Sequence, residues 1–195
     1  MKIAAFALAA SVFALPALAQ DIQQSDRNVF ILSGPMGAGD MADMLNPFDV
    51  RYENTIVLGA GYQQFFGEPL DDFRVGLEVG GAVRAGSERT TGEIWGGVVG
   101  RYDGIVVGDG LRISPALTFG VSVVDDTMGI EAWREDHDGL PGNVLFYLSP
   151  EVSFSSAENP DTELFWRIHH RSGAWNSFGG GGSANATTIG FRTGF

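Results

Sequence analysis

The sequence predicts an all-β fold, an eight-stranded antiparallel transmembrane β-barrel of the outer membrane. Three features predict it. Apolar residues recur at every second position in several segments of about 9–13 residues separated by Gly, Asp, Asn and Pro. The faces opposite these long apolar stripes carry Arg and Glu as well as Gly, as a polar barrel interior would. The final segment closes on the aromatic Phe195, which resembles the insertion signal of outer-membrane barrels. Alternation alone fits a soluble β-sandwich equally well; the charged inner faces and the unbroken apolar ones tilt the balance.

Composition bounds the remaining classes. A length of 195 residues is one domain. With no Cys, disulfide scaffolds, thiolate metal sites and cysteine nucleophiles are excluded. A net charge of −12 argues against nucleic acid as a partner. Residues 1–19 read as a secretory signal: Lys2, an apolar run over 3–15, Pro16, then Ala17-Leu18-Ala19 before Gln20. Its removal takes the only lysine and leaves residues 20–195 as the barrel domain. Past that segment no apolar run approaches the roughly 20 residues a spanning helix needs.

The strands follow in order. A short apolar run over 29–32 is the first, and weaker alternation over 54–63 the second. Over 73–83 the odd positions Phe73, Val75, Leu77, Val79 and Val83 face one way, and Arg74 and Glu78 the other. Residues 91–102 are a fourth, weak strand. Residues 111–123 place Leu111, Ile113, Leu117, Phe119 and Val121 opposite Arg112, Ser114 and Thr118. Residues 144–154 place Val144, Phe146, Leu148, Val152 and Phe154 opposite Tyr147 and Glu151. Residues 162–172 and 186–195 complete eight. An even number puts both termini on the periplasmic side with short turns, and longer loops outside, near 34–49, 86–90, 125–142 and 173–184. Eight strands enclose a space that side chains fill, so no solute pore is expected. The acidic loop with Asp125, Asp126, Glu131, Glu135 and Asp136 reads as a solvated surface.

Strand seven carries the chemistry. Its odd positions, Glu163, Phe165, Arg167, His169 and Arg171, face the lumen; its even positions, Leu164, Trp166, Ile168, His170 and Ser172, face lipid. An imidazole and a hydroxyl on the lipid face are costly unless paired or interfacial. Side chains at i and i+2 stand roughly 7 Å apart, a gap that leaning rotamers close, so His170 could deprotonate Ser172. Counting back from Phe195 on the same parity reaches Asn185, at the same height on the neighbouring strand, where its amide oxygen could orient the imidazole. An interfacial polar pair is the other reading of His-x-Ser.

The segment Phe165-Trp166-Arg167-Ile168-His169-His170-Arg171-Ser172-Gly173-Ala174, the Gly-rich loop, Asn185 and the closing strand to Phe195 resemble the C-terminal part of the outer-membrane lipid A 3-O-deacylase (acyloxyacyl hydrolase) family. The resemblance is specific over about 30 residues. It implies a serine esterase site on the lipid-facing surface, with Ser172 as nucleophile and His170 as base, acting without metal or cofactor on a primary acyl ester of lipid A in lipopolysaccharide. The best-known members follow the serine with an oxyanion-hole Asn, here Gly173, and have Glu where this chain has Asn185. Asn176 and the backbone N–H groups of Gly173 and Ala174 are the substitutes for that Asn. Trp166, Ile168 and Trp175 are the candidate acyl-chain contacts, an aromatic and aliphatic membrane belt being the alternative. Arg171 and Arg192 face the lumen by parity and read as ion-pair partners. The sequence leaves a homodimer open, and a non-catalytic barrel with a structural or lipid-binding role is the rival to the esterase.

Overall fold

A computed structural model describes residues 24–139, 141–174 and 182–195. The expected signal segment, and Trp175 and Asn176 among the site candidates, lie outside these. Among the described residues there are nine strands: β1 Arg27–Gly37, β2 Tyr52–Leu70, β3 Phe73–Gly86, β4 Thr90–Tyr102, β5 Ile105–Val107, β6 Leu111–Val124, β7 Val144–Ser156, β8 Asn159–Ser172 and β9 Ser183–Gly194. Each of β1–β4 and β6–β9 pairs antiparallel with its neighbours, β1 against β9 and β4 against β6, so eight strands close into a ring. The short β5 pairs with β6 beyond the end of β4 and extends that lane. Closure removes the free edges that a sandwich would keep.

The barrel is inside-out. The largest fully buried side chains are led by Arg84, Arg101, Arg167, Arg171 and Arg192, while Ile31, Leu58, Ile94, Leu164 and Ile189 stand exposed at 59–72%. No water-soluble fold gains from that distribution; a barrel in hydrocarbon does. Burying five guanidiniums demands partners, and for three of them an unbroken chain of carboxylates supplies them. Arg101 pairs with Glu163 at 2.6 Å, Glu163 with Arg192 at 2.8 Å, Arg192 with Glu151 at 2.7 Å, Glu151 with Arg167 at 2.7 Å and Arg167 with Glu78 at 2.8 Å. Phe30, Trp95, Tyr147 and Phe165 fill the space between. The lumen is a solid ionic core.

Most strands agree with the alternation; the largest extension is β2, which runs seven residues past the expected end. Two elements differ from expectation. The β4–β5 interruption arises because Asp103 turns inward to accept from Arg74 at 2.8 Å and Arg101 at 2.6 Å. The acidic stretch after β6 keeps Asp125, Asp126 and Asp136 exposed, as a solvated surface does, but it also contains a helix, α1, Gly129–Asp138. Glu131 on its inner side is fully buried, 2.9 Å from both Arg84 and Arg171. Two lumen cations thus hold this carboxylate down in the barrel mouth. Glu53 of β2 accepts the Ile130 N–H at 3.2 Å where Met128 offers no side-chain cap, and Gly139, at φ 65°, ends the helix in the left-handed conformation.

Candidate active site

The site lies at the loop end of β8 and β9. Their register is continuous from Thr162↔Thr193 to Ser172↔Ser183, with no bulge, so alternation carries unbroken to His170↔Asn185. On its other side Asn185 pairs with Gly37 of β1. His170 Nδ1 is 2.5 Å from Asn185 Oδ1, and His170 Nε2 is 3.1 Å from Ser172 Oγ. The Asn185 amide nitrogen donates to the Gly39 carbonyl at 2.8 Å.

These contacts fix the protons. A carbonyl only accepts, so Gly39 holds the NH2 end of Asn185 and turns its oxygen to the imidazole. That oxygen also only accepts, so Nδ1 carries the hydrogen, and Nε2 presents its lone pair to the serine hydroxyl. Exposure is graded along the relay: Asn185 is 1% exposed and His170 8%, while Ser172 is only partly covered. The loop that supplies Gly39 is pinned where the Ala38 N–H donates to the Arg51 carbonyl at 2.9 Å, and Met44 packs over Gly37 so closely that a Cβ there would lie 2.5 Å from its methyl carbon. Below the site, β1 reaches β9 through Gly34; a Cβ at that position would stand 1.9 Å from the Thr187 carbonyl oxygen.

Comparison with protein-family models gives no match, and neither does comparison with curated protein sequences. Solved structures do match. The outer membrane enzyme PagL superposes with a TM-score of 0.60 at 12% identity, covering 86% of this chain and 99% of that one. Neisserial surface protein A, NspA, gives 0.51 at 9% identity, covering 88% and 98%. The chain has the fold of an outer-membrane eight-stranded barrel.

On that frame, the expected site residues divide. His170, Ser172 and Asn185 come together. Trp166 lines an apolar groove of about 510 Å3 with Ile31, Leu58, Leu164, Ile189 and Phe191, and anchors its indole N–H on Thr187 Oγ1 at 2.8 Å. Ile168 does not join it: although on the outward face, it is 1% exposed and covered. The Gly173 N–H donates to the Gly182 carbonyl at 3.1 Å, closing the base of the loop between β8 and β9, so it has an acceptor other than an oxyanion. Ala174 adopts φ 42°, a left-handed conformation in the turn. Arg171 and Arg192 point into the lumen ion pairs.

Sequence reasoning missed Arg134. From α1 it donates to the Ser183 carbonyl at 2.8 Å and to the Ser183 hydroxyl at 2.5 Å, and its other amino nitrogen is 3.4 Å from Asp40. Ser183 is the cross-strand partner of Ser172. Nothing in the local pattern marks this arginine, because its position depends on Glu131, one helical turn earlier, being drawn into the lumen. Among the described residues no group of three or more His, Cys, Asp or Glu is arranged to hold a metal ion.

Proposed function

We propose that this chain is an outer-membrane serine esterase that removes a primary, 3-O-linked acyl chain from lipid A of lipopolysaccharide. One observation carries the reading: a hydroxyl, an imidazole and an amide oxygen form a continuous hydrogen-bonded relay at the loop end of the lipid-facing surface, with the hydroxyl the accessible member. A packed ionic lumen leaves no room for a substrate inside, so a lipid ester reaching this surface from the bilayer is the matching class.

In the reaction, His170 Nε2 takes the Ser172 proton as Oγ bonds to the ester carbonyl carbon. The tetrahedral intermediate collapses with loss of the sugar 3-oxygen, which takes the proton from Nε2. Water, deprotonated by the same nitrogen, then bonds to the acyl carbon; as the fatty acid leaves, Ser172 Oγ takes that proton back from Nε2. Nδ1–H stays with His170 throughout and is held by Asn185. A neutral amide stabilises the imidazolium less than a carboxylate does, but it preserves the tautomer. The Trp166 groove lies along β8 and β9 toward the membrane interior, suited to an alkyl chain.

The test is mass spectrometry of lipid A from Gram-negative cells overproducing the folded protein. Loss of one 3-hydroxyacyl chain, abolished in Ser172→Ala and His170→Ala, is expected. Unchanged lipid A with a folded barrel in the membrane overturns the proposal and leaves the structural or lipid-binding barrel.

A further inference from the structure

The relay needs a group to hold the negative charge that forms on the carbonyl oxygen, and the N–H that follows Ser172 is already committed. Gly173 stands where a side-chain donor would be useful, and its own N–H is bonded to Gly182. We propose that Arg134 of α1 is the oxyanion donor of this site. The inference rests on the esterase reading and extends it to a residue on a different element.

Three observations support it. The first is position. Ser172 and Ser183 are paired across β8 and β9 with their side chains on one face, and Arg134 Nη1 sits on the Ser183 hydroxyl at 2.5 Å. Paired Cα atoms are about 4.5–5.5 Å apart, so the guanidinium stands one hydrogen bond beyond the residue directly across from Ser172. A carbonyl under attack extends that way from the serine: its carbon is about 3 Å from the nucleophile, its oxygen about 1.2 Å further, and its donor about 2.9 Å beyond.

The second is rigidity. Both bonds from Nη1 go to Ser183, and Glu131 is locked between Arg84 and Arg171 three positions before Arg134 on the same helix. The guanidinium is thus positioned before substrate arrives. The third is that Nη2 has a replaceable partner. Its contact with Asp40 is long, at 3.4 Å, and the Asp40 side chain is 83% exposed, the kind of surface pair worth little. Nη2 can exchange this carboxylate for an oxyanion without leaving a buried charge unpaired. No proton moves from Arg134. The negative charge appears on the carbonyl oxygen as the Ser172 Oγ–C bond forms, and it disappears when the C–O bond to the sugar breaks and His170 protonates the leaving oxygen.

The experiment compares the purified full-length barrel with Arg134→Met and Arg134→Lys in detergent micelles, using lipid A as substrate. Two ligands separate the roles: an alkyl boronic acid, which forms a charged tetrahedral adduct on the serine, and a 3-O-alkyl ether analogue of lipid A, which resembles the ground state. For Arg134→Met, kcat is expected to fall about 100- to 1000-fold with KM nearly unchanged. Boronate affinity should fall in step while ether-analogue affinity holds. Arg134→Lys, which keeps the charge but loses the fork, should fall between. A rise in KM with equal weakening of both ligands would assign Arg134 to headgroup binding and overturn the proposal, as would a kcat within about threefold of the parent. A parent barrel that is folded yet leaves lipid A intact would instead remove the esterase reading, and this inference with it.

Discussion

Asn185→Leu tests the relay at its most covered member. Leucine has nearly the shape of asparagine, so packing is retained while the Nδ1 acceptor is lost. In the reacting state the hydrogen bond from Nδ1 to Asn185 Oδ1, 2.5 Å long, is made by a charged donor. Such bonds contribute about 1.5–3 kcal/mol, and each 1.36 kcal/mol is tenfold in rate, so kcat should fall roughly 10- to 160-fold. The variant should stay well above the floor set by Ser172→Ala, since Nε2 can still take the proton whenever the neutral ring holds the right tautomer. Folding should weaken by about 1–3 kcal/mol, because the His170 Nδ1–H loses its buried acceptor, whereas the freed Gly39 carbonyl is partly exposed and open to water. The assay is release of 3-hydroxy fatty acid from lipid A in micelles, on samples shown to be folded by heat-modifiable gel mobility. A folded Asn185→Leu barrel with the parent rate would refute the argument that Asn185 holds the imidazole.

Three further outcomes follow from the same structure. Glu163→Gln leaves Arg101 and Arg192 each short of a buried carboxylate, so urea unfolding followed by tryptophan fluorescence should show a loss of about 3–5 kcal/mol, with esterase activity kept while the barrel is folded. Gly34→Ala should separate β1 from β9 just below Asn185, because its Cβ meets the Thr187 carbonyl oxygen; poor assembly and lost activity are expected together, and a stable, active variant would show that the two strands can part freely. Asp103 lies in the turn between β4 and β5, outside the spanning strands. Burial alone would raise its carboxyl, but the Arg101 and Arg74 guanidiniums outweigh that and hold it below the usual 3.8. Its stabilisation is therefore complete above pH 3.8 and lost as pH falls through its lowered value, so acid denaturation profiles of the parent should steepen there and those of Asp103→Asn should not.

The parts of the fold that alternation encodes were legible: each charged inner face and apolar outer face can be read along one strand, and the His-x-Ser spacing with Asn185 at matching height needs only parity and a count from Phe195. The rest depends on contacts between residues far apart in sequence. Glu131 looks like one acid among many until Arg84 and Arg171 are seen converging on it at the barrel mouth, and α1, with Arg134, follows from that burial. Gly39 acts through a carbonyl, and a backbone group has no signature in a sequence. Ile168 shares its parity with Trp166 but not its exposure, because parity gives the face and not what lies over it.

The adjacent histidines show how tightly site and scaffold are joined. His169 is inside, bonded to the Tyr147 hydroxyl at 2.9 Å and to Glu93 at 3.0 Å, with Trp95 against its ring; His170 is outside, between Asn185 and Ser172. A register slip of one residue would exchange them. The same slip would turn Arg167 and Arg171 toward lipid, at about 2–4 kcal/mol for an arginine at mid-bilayer and about 0–1 near the interface where Arg171 lies, and would take from Glu78, Glu151 and Glu131 their pairing with these two arginines. The lumen ion pairs thus set the register that aims His170, so the two histidines should separate cleanly under mutation. His169→Ala leaves Tyr147 and Glu93 each short of a buried partner, so it should cost about 1–3 kcal/mol of stability per group and keep most of the activity of the molecules that fold. His170→Ala should abolish fatty acid release at a smaller cost in stability, since among its partners only the Asn185 amide oxygen is left buried and unpaired while Ser172 is partly open to water. Equal loss of turnover in both, measured on folded protein, would mean that catalysis draws on the interior and that the division between an inert core and a reactive surface is wrong.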